Sequence, residues 1–324
     1  MNSFSKKTDV TLLIVSTAAF IVSVVMIICS TQLFVFIQTV VETKLLHRTL
    51  NPKTLNQIFM SLIAFPIFFT ILFDGLFFVK FSKQSKIILL LQFFIAAAVL
   101  TSVCAFTRCI QYMNSDMASE IMLAKECFTH KTFWPRSWYY STEFRLLNTQ
   151  LVAAPLFAFT SNWITVKAVS VIILCFALPL SLWFLLETLD VKTAWIKLLC
   201  ALLVFVPWSG QMWELVQFGN YYIPHIAISF IYTGLFISLA YKELSAQKRK
   251  IFSLIFFALA FISGISGIRY ILNFQLPIAL TLIILAVHHI VVQKERFDFS
   301  CFFIRDKRVF YASANIILGG VGYA

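Results

Sequence analysis

The chain has 324 residues, of which 60% are hydrophobic and only 12% charged. A soluble globular domain carries roughly 25% charged residues, so that class is excluded and lipid becomes the solvent for most of the 36 phenylalanines. The net charge of +12 sits in short basic clusters between long apolar runs, where membrane topology places it, with no interleaving of basic residues and exposed aromatics; no nucleic acid partner is expected.

Spans of roughly 20 apolar residues cross a bilayer. In chain order they are expected at 10–38, 57–79, 87–107, 164–188, 195–208, 222–241, 251–272 and 275–293. The fifth is short. A last apolar run, 309–324, reads as a truncated ninth span. The run from Val10 follows Lys6 and Lys7, is too long for a signal-peptide core and shows no small-residue cleavage site, so it reads as a retained first span. The fold class is therefore an all-α polytopic bundle of about eight spans. Its parts are the first three helices (1–107), a large outer loop with short interfacial helices (108–163) and the remaining helices (164–324). A cytoplasmic N-terminus places 16 of the 26 Lys and Arg residues inside, and five of the other ten in the 108–163 loop.

That loop is polar and aromatic, with Trp134, Trp138, Tyr139, Tyr140 and Trp163. Trp and Tyr prefer the membrane interface, so it is expected to fold there. It holds four of the 14 acidic residues: Asp116, Glu120, Glu126 and Glu143. Asp116 and Glu120 are four apart, on one helical face, beside an apolar stripe of Met117, Ile121, Ala124 and Phe128. Like charges at this spacing cost about a few tenths of a kcal/mol, a cost removed by a cation, a basic side chain or a shared proton. The pair is thus a candidate general base or a divalent metal (Mg or Mn) site. The plainer reading is a solvated helix face with Asn114 or Ser115 as N-cap. A second helix is expected to begin at Ser141-Thr142-Glu143, with Phe144, Leu147 and Leu151 on its apolar face and Glu143 complementing its dipole.

Arg145 could grip a phosphate by a bidentate contact or simply snorkel. Arg269 closes Ser263-Gly264-Ile265-Ser266-Gly267-Ile268-Arg269 at the outer end of the seventh span, where glycines allow close backbone approach. Trp208, Gln211, Trp213, Glu214, Gln217, Asn220, Tyr221, Tyr222 and His225 read either as a sugar-binding surface or as an interfacial aromatic belt. Asp74 is alone in the second span, and His288 and His289 have no ligand companions in sequence. Of the seven cysteines no pair has C-x-x-C spacing; Cys109 and Cys127 read as a loop disulfide or as two buried thiols. Dinucleotide, Walker, H-E-x-x-H and G-x-S-x-G motifs are missing.

Spans, then a long outer loop opening on Ser115-Asp116-Met117-Ala118-Ser119-Glu120, then Trp138-Tyr139-Tyr140-Ser141-Thr142-Glu143-Phe144-Arg145 and further spans, resembles the GT-C fold membrane glycosyltransferases over about 87–293, and bacterial membrane proteins of this kind. The resemblance implies transfer of a sugar from a polyprenyl-phosphate carrier to a glycan or lipid acceptor of the cell envelope, at the outer face of a bacterial inner membrane. It implies Asp116 as catalytic base or metal ligand, with Glu120 supporting it. Arg269 or Arg145 would hold the donor phosphate, and Trp138, Tyr139, Glu143 and His225 the remainder of the substrate. A transporter or flippase of lipid-linked glycans, and a non-catalytic membrane subunit, are the alternatives.

Overall fold

The computed structural model describes residues 81–140, 144, 146–206, 209, 211–220, 222–291 and 306–323, and six residues between 10 and 21. Every regular element among them is helical. The expected span 57–79, most of the span 10–38, and Asp74, Ser141, Thr142, Glu143, Arg145, Trp208 and Tyr221 lie outside the described residues.

The chain forms two compact units. The first comprises residues 1–107 and 193–206. Here α1 (Lys83–Thr107) starts where Ser82 accepts the Ser85 backbone N–H at 3.1 Å. It is apolar on all sides, as a helix facing lipid or core all round must be. α1 packs against the shorter α6 (Ala194–Phe205) of the same unit, with Phe94 stacked on Phe205 at 4.7 Å and the Lys86 ammonium 4.9 Å from the Trp195 ring.

The second unit, 108–192 and 207–324, opens on a single turn, α2 (Cys109–Tyr112), and continues through α3 (Ser115–His130), α4 (Gln150–Leu156) and the long α5 (Trp163–Thr188). After α6 comes a π-helix, Met212–Phe218, then α7 (Ile223–Tyr241) and α8 (Ala246–Ser266). α9 (Ile268–Tyr270), a π turn (Ile271–Gln275) and α10 (Leu276–Val291) follow without a break, and α11 (Lys307–Tyr323) closes the chain. α5 packs along α7, and α8 along α11. Small residues permit both contacts. A Cβ on Gly234 of α7 would sit 2.7 Å from the Phe184 ring of α5, and one on Gly264 of α8 would sit 2.1 Å from the Gly319 carbonyl of α11. Small residues at crossings are how helices approach when lipid offers no hydrophobic drive. An aromatic core of Tyr232, Phe256, Phe274 and Tyr311 fills the space between α7, α8, the π turn and α11, with Tyr232 stacked on Phe256 at 4.6 Å. Two hydrogen bonds join polar groups inside it, with Gln275 Oε1 and Asn315 Nδ2 left over among the described residues. The Tyr232 hydroxyl donates to the Asn315 carboxamide, and Gln275 donates to the Ser263 hydroxyl at 2.9 Å.

Among the described residues five helical stretches are long and apolar enough to cross a membrane: Lys83–Thr107, Trp163–Thr188, Ile223–Tyr241, Ala246–Ser266 and Ile268–His288. They match the expected spans at 87–107, 164–188, 222–241, 251–272 and 275–293. Large apolar side chains stay exposed along them, Leu180, Leu254 and Ile284 among the most open, and this outward apolar surface calls for a bilayer around the chain. The fifth span is short, as expected: a helix of 12 residues, about 18 Å long at 1.5 Å per residue, with Val206 leaving helical geometry beyond it. One expectation is corrected. The helix expected from Ser141 begins instead at Gln150. The described residues ahead of it, Phe144 and 146–149, are not helical. The Leu147 N–H is taken by the Ser266 hydroxyl at 3.2 Å and its carbonyl by the Tyr270 hydroxyl at 2.6 Å. These two tertiary hydrogen bonds replace the ones a helix would supply.

Candidate functional site

The 108–163 segment is built around α3. Asn114 caps it as expected, its side-chain oxygen accepting the Met117 N–H at 3.0 Å. Met117, Ile121, Ala124 and Cys127 recur at helical spacing and are buried. Ile121 and Ala124 form a small core with Ala153 and Phe157 near α4 and Val166 of α5. The expected apolar stripe is therefore real, and it is what docks α3.

The two carboxylates of α3 share a face but not an environment. Asp116 is exposed in the first turn, where the helix dipole favours a negative charge. Glu120, one turn on, is only 4% exposed. Its nearest consequence is on Lys167, one turn into α5. The Lys167 side chain is fully buried, and its ammonium feels the Glu120 carboxylate and the Cys109 and Cys175 thiols. Lys167 Nζ donates to the Gly219 carbonyl at 3.2 Å and lies 5.9 Å from the Phe218 ring. The basic partner that would relieve the Asp116–Glu120 repulsion is thus present, but it serves Glu120 from inside.

The π-helix Met212–Phe218 sets the other wall. Its wider turn delivers the Gly219 carbonyl to Lys167 and leaves Asn220 in the left-handed region (φ 63°). π-helical turns are rare and concentrate at functional positions, and asparagine is one of the few residues besides glycine that adopts positive φ readily. Asn220 is fully buried, and its carboxamide makes no hydrogen bond among the described residues. Tyr112 of α2 closes against the same π-helix, its ring 6.3 Å from Trp213 and 5.5 Å from Phe218. The Cys175 thiol donates to the Gln217 carbonyl at 3.8 Å.

Trp213, Gln217, Asn220 and His225 are buried, whereas Gln211, Glu214 and Tyr222 are exposed. The aromatic and amide group read as a surface is therefore partly an interior wall. His225 stacks on Tyr270 at 4.4 Å, above the Tyr270–Leu147 hydrogen bond. Trp138 is half-buried and Tyr139 exposed in the turn after α3. Arg269 is exposed at the start of α9, directly after Gly267, whose φ of 128° marks the break between α8 and α9.

Cys109 and Cys127 are separate buried thiols. Burial pushes both up, and for Cys109 the Lys167 charge offsets part of that rise. Among the described residues no three His, Cys, Asp or Glu side chains gather to hold a metal. Glu120 also shares its surroundings with an ammonium group, so Asp116 and Glu120 do not form a ready ligand set for Mg or Mn.

Lys167 and Asn220 carry the centre of this site, and sequence reasoning does not single out Lys167. The signal exists: Lys167 is the one cation within the otherwise apolar run 164–188, and ionisable groups in spans default to a functional role. It is masked by position, because a lysine near a span end also reads as a snorkelling anchor. No protein-family model matches the chain, and no curated protein and no solved structure is significantly similar to it.

Proposed function

We propose that this chain is a membrane glycosyltransferase that moves a sugar from a polyprenyl-phosphate carrier to a glycan or lipid acceptor at the outer face of a bacterial inner membrane. The proposal includes eight spans, read from the apolar runs, and a cytoplasmic N-terminus with an outward 108–163 segment, read from the Lys and Arg distribution. The observation that carries it is the division of labour on α3: an exposed carboxylate, Asp116, stands on a helix whose second carboxylate, Glu120, is buried within the electrostatic reach of the buried Lys167.

In this reading Asp116 is the base. It takes the proton from the acceptor hydroxyl as that oxygen bonds to the anomeric carbon. The bond from that carbon to the carrier phosphate breaks, and the phosphate leaves with the electron pair, so the sugar inverts. Asp116 is open to an incoming acceptor, and a fixed base is worth typically 10² to 10⁴ in rate. Glu120 is a positioning residue, holding the first turns of α3 against α5 through Lys167. Tyr139 offers an exposed ring on which a sugar can lie, and Arg269 an exposed guanidinium for phosphate.

The test is sugar transfer in proteoliposomes over a panel of polyprenyl-phosphate donors. Asp116→Asn is expected to lower transfer at least about a hundredfold with membrane insertion and folding retained. Transfer indifferent to that change moves the chemistry off α3. A second reading, a flippase of lipid-linked glycans, is favoured by one observation, the fully buried Lys167 within a span. Passage of the intact donor across the bilayer without sugar transfer would select it.

A further inference from the structure

Away from Asp116, at the C-terminal end of α3, lies a cavity of about 470 Å³ that the chemistry above does not use. Its walls are Cys127, Phe128 and Phe133 on one side and Ala154 and Pro155 of α4 on the other. Lys131 is the single charged residue among those lining it. The volume falls within the range of small-molecule sites, and the walls suit a hydrocarbon chain.

Three features identify what fills it. Lys131 ends α3 in the left-handed region (φ 49°), where the 131 and 132 backbone N–H groups close onto the Phe128 and Cys127 carbonyls. Glycine or asparagine is the usual residue there. A lysine in a position that strains its backbone points to a use for its ammonium. Next, the surrounding charge is positive. Between 125 and 136 stand Lys125, Lys131 and Arg136 against Glu126 alone, and Glu126 is engaged by Ser137 at 3.0 Å and His130 at 3.2 Å. Finally, the chain around it is apolar and uncovered: Phe133, in its wall, is 68% exposed, and Trp134 and Phe159, close in sequence to its lining residues, are 48% and 86% exposed. Exposed aromatics flanked by cations are the signature of a surface resting in the headgroup layer.

We infer that this cavity is a binding site for an anionic membrane phospholipid, one acyl chain lying between α3 and α4 and the headgroup phosphate on Lys131. The ligand is a bilayer component, and the inference stands whether or not the chain transfers sugar.

The experiment uses the full chain in vesicles containing phosphatidylglycerol with a photoactivatable diazirine at the end of an acyl chain, or the matching phosphatidylcholine. Adduct sites are mapped by mass spectrometry. Phosphatidylglycerol adducts are expected in 127–133 and 150–155 at several times the phosphatidylcholine yield. Ala154→Trp, which fills the cavity, should cut them at least tenfold while adducts on the exposed Leu254 face of α8 persist, which also reports that the bundle is intact. Lys131→Asn, tolerated at positive φ, should bring phosphatidylglycerol down to the phosphatidylcholine yield. Inorganic phosphate should not compete. The inference is overturned by yields equal for the two lipids in the wild-type chain, by adducts indifferent to Ala154→Trp, or by protection from phosphate alone, which would make Lys131 a site for free anions. Should Ala154→Trp also lose the Leu254-face adducts, Lys131→Asn alone decides.

Discussion

The α3–α5 contact and the α8–α11 contact solve the same problem by opposite means. α8 and α11 meet backbone to backbone, with Gly264 against the Gly319 carbonyl and Gly322 against the Phe261 carbonyl. Beside them Tyr232 is bonded to Asn315 and Gln275 to Ser263, while Asn315 Nδ2 and Gln275 Oε1 make no hydrogen bond among the described residues. α3 and α5 meet through a small apolar core and a buried charge, Lys167, that donates to a carbonyl at the end of the π-helix and lies within the field of the Glu120 carboxylate on α3. The first contact needs only shape. The second depends on protonation, on partners from three separate chain segments, and on Asn220, whose amide stays unmatched among the described residues. Unmatched amides occur in both regions, but a buried lysine in a span defaults to a functional role, which is why the chemistry is sought at α3 and the scaffold at α8–α11.

Breaking the charged contact should have the largest effect. Lys167→Met leaves Glu120 buried without its ammonium and the Gly219 carbonyl without its donor. Removing one member of a buried pair costs about 3–5 kcal/mol. Glu120→Gln added to Lys167→Met should recover part of this, because the uncompensated charge is gone. Denaturant unfolding in detergent measures both, and a double variant no more stable than Lys167→Met would mean that the two groups do not act on each other. The glycine contact should fail by crowding instead. Gly264→Ala puts a methyl 2.1 Å from a backbone oxygen that cannot rotate away, so the helices must separate, at about 1–3 kcal/mol. Here no second-site charge change should rescue. If Gly264→Ala is neutral, the crossing is looser than its geometry.

The two regions also differ in how well the sequence foretells them. The spans, the Asn114 cap and the stripe Met117, Ile121, Ala124 are local patterns of period 3.6, and they are legible. So is the glycine cluster at 264–267 as a place of close approach. Which acid of the Asp116 and Glu120 pair goes inside is not legible, because burial is decided by α4, α5 and Lys167, between 30 and 51 residues further along the chain. The π-helix is equally hidden. Met212–Phe218 reads as part of a sugar-binding surface or an interfacial belt, and only the tertiary demand for a carbonyl at Lys167 gives its wider turn a purpose. The misplaced start of α4 has the same cause. Ser141-Thr142-Glu143 is a good local cap signal, but the chain around Leu147 is bonded to Ser266 and Tyr270, more than a hundred residues away.

That long-range tie supplies a smaller test. Tyr270→Phe removes one hydroxyl and leaves the His225 stack in place. The Leu147 carbonyl loses its donor, at about 1 kcal/mol. The loss should appear as faster hydrogen exchange in 146–150 with little change in α8 and α11. Faster exchange spread evenly over the unit would show that the tie supports the whole bundle and not the segment beside α3.

The smallest expected effect lies at the far end of α5, where both regions are absent and only surface electrostatics acts. Lys242 donates to Asp190 at 2.7 Å, and that hydrogen bond, with the charge behind it, holds the Asp190 carboxyl below its ordinary value. A carboxyl lowered on folding adds stability above its unfolded pKa of about 3.9. The contribution is lost as pH falls through the lower folded value. The pair is open to solvent, so the contribution is slight and should fade further with added salt. Asp190 also stands at φ 57°, which asparagine tolerates, so Asp190→Asn removes the charge without straining the turn. The melting difference between wild type and Asp190→Asn should be flat above about pH 5 and close towards zero below about pH 4. A difference that persists at low pH would assign the stabilisation to the turn and not to the ion pair.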